Sequence, residues 1–366
     1  MNDITAIFAF LRYCLGYKGD MSRVVAGMDW QELYSFASKQ ALLGLCFEGI
    51  ERLGKEYPEE LKQNPIGREL LMTWMGKAQQ IRRQNMKVNV MAGKLFSMLR
   101  EDGMRCCILK GQGNALMYPN PYSRTPGDID IWVEGGDKRV ISFVRSISPH
   151  EKACYHHIEF PSYKGVEVEV HYRPSFLLCF WHNRKLQKYY ERVKEEQFSH
   201  RVMLGEQGEI AIPTVEFNLI FQLTHIYAHL MNEGIGLRQL LDYYYVLISD
   251  DLSLIRDRVQ KELKELGLWK FAGAIMYIMQ EVFGMPASRL IVPPNEKYGR
   301  FVLNEVLEAG NFGKHDERNR FGRSKLGHNL QRVYRDIRLV RYFPGVALCE
   351  SLFRIWHFFW RMKNKK

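Results

Sequence analysis

Residues 105–133 read RCCILKGQGNALMYPNPYSRTPGDIDIWV. The apolar runs at 105–109 and 128–133 have the length and composition of two short strands. Between them come a turn at Lys110-Gly111, a short helix predicted over 114–118, and a loop with three prolines. The period of the hydrophobic pattern therefore indicates a block of mixed α/β structure.

Helical patterns lie on both sides of this block, over residues 1–102 and from about Trp181 onward. Two further strands are predicted at 156–160 and 166–171. We therefore predict an α+β fold, with a small mixed sheet flanked by N-terminal and C-terminal helical regions. The expected division is a helical region over 1–84, an α/β core over 85–175, and a C-terminal helical domain with a basic tail over 176–366.

The composition is that of a soluble globular protein, with 46% hydrophobic and 25% charged residues among 366. No stretch of about 20 residues is both apolar and uncharged, so no transmembrane segment is expected. The first apolar run is short and is interrupted by Arg12, unlike a secretory signal, which favours a cytoplasmic protein. The seven cysteines form no CxxC pair, which argues against a disulfide framework or a structural zinc site.

The positive charge is concentrated at the C-terminal end. Of the net charge of +11, residues 311–366 carry +10, with 14 basic and four acidic residues. Such a segment attracts polyanions, including nucleic acid or an anionic membrane, although a solvated surface is an equal alternative. Aromatic residues Phe353, Trp356 and Trp360 lie among its arginines, where they would stack on bases, contact a membrane or pack on the protein body.

Two aspartates carry the main chemical signal. Asp128 and Asp130 are two residues apart in the second predicted strand, so both carboxylates project from the same face. Paired carboxylates of this kind hold Mg²⁺ together with substrate phosphates. Gly127 directly precedes the pair and allows a ligand or backbone to approach closely.

Acidic side chains also alternate along the strand at 166–171, where Glu167, Glu169 and His171 share one face. A third carboxylate beside the aspartate pair would complete a two-metal site for in-line phosphoryl displacement. The alternative is the polar face of an edge hairpin.

A phosphate site is predicted ahead of the aspartate pair. Lys110-Gly111 opens the short helix, where backbone N–H groups and the lysine charge favour an anion. Arg124, in the loop before the aspartates, is either a phosphate clamp or a surface arginine.

In this order, the motifs resemble the uncharacterised nucleotidyltransferase family of the DNA polymerase beta-like superfamily, over about residues 100–250. Gly111 matches the glycine at the start of the family's helix, although Lys110 stands where a small residue is usual. Asp128 and Asp130 match the Asp-x-Asp pair. Glu169 matches the third acid, where aspartate is commoner.

The resemblance implies an enzyme that moves a nucleoside monophosphate from an NTP to an acceptor hydroxyl and releases pyrophosphate. It implies Mg²⁺ or Mn²⁺ as cofactor, with Asp128, Asp130 and Glu169 as metal ligands and catalytic residues. The NTP would be held by Lys110, Gly111 and Arg124. Nucleic acid is a further expected partner, through the basic C-terminal segment.

Other interpretations of the sequence stay open. A sugar-nucleotide glycosyltransferase also uses Asp-x-Asp, but it usually needs a larger parallel sheet before that motif. A degenerate transferase fold could serve as a nucleic-acid or protein-binding module. His225 and His229 share one helix face, either as zinc ligands with a carboxylate or as structural or cleft-lining residues. Asp242 is four residues from Arg238 and is expected to orient it if both lie on one helix.

Overall fold

The computed structural model describes residues 3–314, 316, 318, 334, 335 and 337–363. Its helices are α1 (Asp3–Cys14), α2 (Ser22–Ala26), α3 (Trp30–Lys39), α4 (Leu43–Glu56), α5 (Pro58–Gln63), α6 (Arg68–Glu101), α7 (Gly111–Ala115), α8 (Gly136–Ile147), α9 (Phe180–Ser199), α10 (Val215–Asn232), α11 (Leu237–Ile248), α12 (Arg256–Glu265), α13 (Trp269–Glu281), α14 (Glu296–Ala309) and α15 (Pro344–Lys363). Its strands are β1 (Cys106–Leu109), β2 (Ile129–Val133), β3 (His157–Tyr163), β4 (Val166–His171), β5 (Arg201–Met203) and β6 (Glu209–Ala211).

The first four strands form one mixed sheet in the order β1-β2-β4-β3. Strands β1 and β2 are antiparallel, β2 and β4 are parallel, and β4 and β3 are antiparallel. All the residues of β1 and β2 are buried, although β1 is an edge strand, so this part of the sheet is covered on both faces. The small mixed sheet among helices confirms the predicted α+β fold class.

The helix after β1 differs from its predicted position. It spans Gly111–Ala115 rather than 114–118. Lys110 and Gly111 both have positive φ, 48° and 47°, so the chain turns sharply at the end of the strand and enters the helix at once. Glycine adopts this conformation at little cost, whereas at Lys110 it is unusual and requires support from neighbouring groups.

Helices α1 to α6 precede the sheet. Asp29 caps α3 by accepting hydrogen bonds from the backbone of Gln31 and Glu32. The apolar pattern that follows is divided between α3 and α4, because Ala41 has a positive φ of 57°. The long helix α6 runs without interruption across residues 84 and 85, and the three-part division of the chain stays a prediction.

The C-terminal helix packs one aromatic face on the protein body. The rings of Phe353, Trp356 and Trp360 lie 5.8, 5.1 and 6.3 Å from that of Tyr155, as the packing alternative predicted. The other face is also apolar, and Leu352, Ile355 and Phe359 are about 60% exposed. Part of the basic segment, including residues 319–333 with Arg332, lies outside the described residues. In the described part of the chain, no helix is both long and apolar enough to cross a bilayer.

Candidate active site

Three carboxylates converge on one face of the sheet. In the parallel pairing of β2 with β4, Asp130 lies directly opposite Glu169. Asp128 precedes β2 and projects from the same side, as the spacing of two predicts. Oxygen atoms of Asp128, Asp130 and Glu169, here termed the acidic triad, all lie within 4.8 Å of one another.

Two basic side chains contact the acidic triad. Lys110 Nζ lies 3.0 Å from Asp130 Oδ2 and also donates to His225 Nε2 at 3.0 Å. His171 Nε2 donates to Asp130 Oδ1 at 2.9 Å and lies 3.3 Å from Glu169 Oε2. Asp130 is only 2% exposed, so these two contacts compensate a carboxylate that has lost its water.

The electrostatics of the acidic triad separate its two aspartates. The neighbouring Asp130 carboxylate, with burial, raises the pKa of Asp128 to about 6. Burial alone would also raise the pKa of Asp130, but Lys110 and the His171 hydrogen bond outweigh it and hold that pKa below its usual range. Burial opposes the charge on His171, yet its hydrogen bonds to Asp130 and Glu169 raise its pKa to about 9. The site therefore places anionic carboxylate oxygens beside two positively charged side chains, those of Lys110 and His171.

The donor set of the acidic triad fits a hard divalent cation. Carboxylate oxygens are the ligands that Mg²⁺ and Mn²⁺ prefer. In the structure, the positive charges of Lys110 and His171 neutralise Asp130. A bound divalent cation would neutralise the same carboxylates. The three residues are therefore able to hold the metal that the sequence motifs predict.

A cavity of about 440 Å³ opens beside the acidic triad. Its other walls come from α10 and α11 and include His225, His229, Arg238 and Gln239. All six residues predicted for the site line it: Lys110, Gly111, Arg124, Asp128, Asp130 and Glu169. The structure thus brings the predicted phosphate-binding and metal-binding groups to a single cavity.

Arg124 is a buried residue and is not on the surface. Its Nε and Nη2 atoms donate to the two carboxylate oxygens of Asp242, each at 2.8 Å. Tyr118 Oη donates to the same carboxylate at 2.8 Å. Asp242 therefore binds Arg124, and the expectation that it orients Arg238 is not met by any hydrogen bond among the described residues.

Arg238 is a cavity cation that the sequence did not identify. Its Nη1 donates to the backbone oxygen of Thr125 at 3.0 Å, and its Nε has no hydrogen-bond partner in the described part of the chain. A side-chain carbon added at Gly127 would lie 3.4 Å from its Nη1, an ordinary contact distance, so Arg238 lies directly beside the residue that precedes Asp128. Arg238 approaches the acidic triad only through tertiary packing of α11.

Histidines are concentrated around the cavity. His225 and His229 both line it, in agreement with the cleft-lining alternative, and His225 accepts from Lys110. Burial, together with Lys110, holds the pKa of His225 well below its usual value. His157 of β3 also enters the site, with Nδ1 3.2 Å from Glu169 Oε2. The sequence indicated His171 by its alternation with Glu169, but it did not predict that His157 would join them.

Comparison with known proteins supports the family resemblance. No curated protein matches the chain. A crystal structure of an antigenic nucleotidyltransferase-like protein from Paracoccidioides brasiliensis is similar, at 12% identity and a TM-score of 0.31, over 58% of this chain and 96% of that chain. A TM-score this low establishes no common fold. The model of the uncharacterised nucleotidyltransferase family matches residues 26–284, a wider range than the motifs alone suggested, and it includes every predicted site residue. The chain therefore belongs to the uncharacterised nucleotidyltransferase family.

Proposed function

We propose that the protein is a metal-dependent nucleotidyltransferase that moves a nucleoside monophosphate from an NTP to an acceptor hydroxyl. The observation that carries the proposal is the convergence of the acidic triad on a cavity that also presents Lys110 and Arg238. Carboxylates beside buried cations are suited to bind both a divalent metal and a triphosphate.

Asp128, Asp130 and Glu169 would hold Mg²⁺ or Mn²⁺. The metal, when bound, would neutralise phosphate charge and polarise the reacting oxygen atoms. Lys110 is 3.0 Å from Asp130 and would exchange part of that contact for a phosphate oxygen when the nucleotide enters. The backbone N–H groups around Gly111, at the start of α7, would assist it.

The two cavity arginines would have different roles. Arg124 keeps its bidentate contact with Asp242 and contributes positive charge from the cavity wall. Arg238 lines the cavity and forms no ion pair with any described residue, so it can donate to a phosphate without breaking one. We therefore assign the direct phosphate contact to Arg238 and a supporting role to Arg124.

The reaction forms one bond to phosphorus and breaks another. The acceptor oxygen bonds to the α-phosphorus, and the bond from that phosphorus to the oxygen bridging the β-phosphate breaks. Pyrophosphate carries away the electron pair of the broken bond. Glu169, at the open edge of the acidic triad with 32% of its side chain exposed, takes the proton of the acceptor hydroxyl.

Two alternatives are distinguished by their ligands. A glycosyltransferase would bind a sugar nucleotide in preference to an NTP. A binding module would bind nucleic acid in a salt-sensitive way through residues 311–366 and would not need Asp128. Membership of a nucleotidyltransferase family favours the NTP as substrate.

The proposal is tested by NTP binding and pyrophosphate release in Mn²⁺ or Mg²⁺, with Glu169→Gln compared with Glu167→Gln. Glu167 lies on the same side of β4 but is exposed and outside the cavity, so it is a matched control. We expect Glu169→Gln to lower pyrophosphate release by at least about 100-fold and Glu167→Gln to leave it unchanged. Absence of metal-dependent NTP binding by the wild-type protein, or equal activity of the two variants, would refute the proposal.

A further inference from the structure

A second cluster of metal-ligand side chains lies beside the acidic triad, at the turn that leads into β3. Cys154, His156 and His157 each have one donor atom within 4.8 Å of the others. Cys154 Sγ lies 3.7 Å from His156 Nδ1, and His156 Nε2 lies 3.1 Å from His157 Nδ1. These donors are a sulfur and two imidazole nitrogens, so their chemistry differs from that of the acidic triad.

The separations suit a tetrahedral zinc ion. With Zn–S of about 2.3 Å and Zn–N of about 2.05 Å, sulfur and nitrogen ligands lie about 3.6 Å apart and two nitrogen ligands about 3.3 Å apart. The observed distances are 3.7 and 3.1 Å. These two distances involve different nitrogens of His156, whereas one ion uses only one of them. One ligand atom from each of the three residues lies within 4.8 Å of the other two, so binding one ion would draw the donors together by about 1 Å.

The backbone of the turn is held in place by its neighbours. Cys154 N donates to the carbonyl of His157 at 2.9 Å, which closes the turn. The backbone N–H groups of Tyr172 and Arg173 both donate to the carbonyl of His156, at 3.0 and 3.1 Å. The three donors are thus brought together by the strand pairing itself, which lowers the cost of ordering them around an ion.

We propose that Cys154, His156 and His157 bind one Zn²⁺. Thiolate and imidazole ligands select zinc over magnesium, which prefers oxygen. Three protein ligands leave a fourth position for water or for a substrate group, as in catalytic rather than structural zinc sites. His156 and His157 both line the cavity of the acidic triad, so that fourth position is reachable from it.

The zinc site goes beyond the proposed function, because it requires neither an NTP nor the acidic triad. The two are nevertheless neighbours, since His157 Nδ1 lies 3.2 Å from Glu169 Oε2. The sequence argument against zinc considered paired cysteines, whereas this site uses one cysteine with two histidines. Its residues are close in sequence, at 154, 156 and 157. Adjacent residues of a strand normally point to opposite faces, so the sequence gives no indication that these side chains meet.

Metal titration of the full-length protein tests the proposal. After removal of bound metal, Zn²⁺ is titrated against a chromogenic chelator, and Co²⁺ is added separately to detect a cysteine-to-metal charge-transfer band. The variants are Cys154→Ser, the control Cys179→Ser at another partly buried cysteine, and Asp128→Asn in the acidic triad. Circular dichroism and thermal unfolding establish that each variant is folded.

We expect one tight Zn²⁺ equivalent and the cobalt–thiolate band in the wild type, in Cys179→Ser and in Asp128→Asn. Cys154→Ser is expected to lose the band and at least about 100-fold in Zn²⁺ affinity, more than loss of an outer-sphere partner costs. Weak zinc binding by the wild type, or unchanged binding by Cys154→Ser, would overturn the proposal. Because Asp128→Asn should abolish NTP turnover and keep zinc, failure of the zinc site is distinguishable from failure of the proposed transferase.

Discussion

Replacement of Asp242 by leucine is expected to lower the free energy of unfolding by about 3–5 kcal/mol, because it leaves a buried charge without its partner. Asp242 accepts two hydrogen bonds from Arg124 and one from Tyr118, each at 2.8 Å. The side chains of Arg124 and Asp242 are 5% and 7% exposed, so water cannot take the place of the lost carboxylate. The positive charge of Arg238 nearby adds to the cost.

A double-mutant cycle measures this ion pair. Arg124→Met alone leaves a buried carboxylate and should also cost about 3–5 kcal/mol, whereas the double variant should be less destabilised than the sum of the two. We expect a coupling energy of at least about 2 kcal/mol, measured by urea denaturation followed by tryptophan fluorescence. The control is Glu296→Gln, which removes the exposed ion pair with Arg300 and should cost less than about 1 kcal/mol.

The reasoning would be refuted by additive effects, or by single variants that cost no more than the Glu296→Gln control. Either result would mean that water reaches Arg124. Its guanidinium would then be available as a phosphate clamp, and the assignment of the direct phosphate contact to Arg238 would have to be reversed.

Lys110→Met should tighten Mn²⁺ binding by about tenfold in calorimetry, because the metal no longer competes with a cation for the acidic triad; unchanged affinity would contradict this. Gly44→Ala should lower stability by about 1–3 kcal/mol, since the added carbon would lie 2.1 Å from the carbonyl oxygen of Ser123. Gly54→Ala in the same helix, where no described atom lies within 4 Å, should be neutral or stabilising in the same denaturation assay. Burial raises the pKa of Asp242, but the ion pair with Arg124 and the hydrogen bonds have the larger effect and lower that pKa below its usual value. The resulting stability is present above about pH 3.9 and is lost as pH falls through the lower folded-state pKa, so acid titration should destabilise the wild type more steeply than Asp242→Asn.

The sheet and the acidic triad were predictable because they depend on local regularities. Alternation along β4 identified the side that carries Glu169 and His171, and the spacing of two placed Asp128 and Asp130 together. The boundaries of β4 were predicted correctly at 166–171. The position of α7 was not, because the positive φ of Lys110 has no local sequence cause and is stabilised by contacts that come from elsewhere in the chain.

The cavity wall opposite the sheet could not be predicted in the same way. Arg238 and Asp242 are four residues apart on α11, and helical spacing suggested that they pair with each other. In the structure Asp242 binds Arg124, 118 residues earlier, because the buried guanidinium finds there a planar acceptor with two oxygens at the right separation. Arg124 and Arg238 carry the same charge, so which of them binds Asp242 depends on tertiary packing and not on the spacing of residues along the sequence.

By itself, the amino-acid sequence determined the α+β class, the two strands that carry the acids and the side of the sheet to which they point, since each follows from a repeat of two or of 3.6 residues. Only the tertiary structure decided which cations meet those acids, that His157 reaches Glu169, and that Cys154 lies beside two imidazoles. Some of those contacts join elements that are distant in sequence, and the others depend on a local departure from regular strand alternation. The energy of each contact depends on how deeply its groups are buried, which no local sequence pattern specifies.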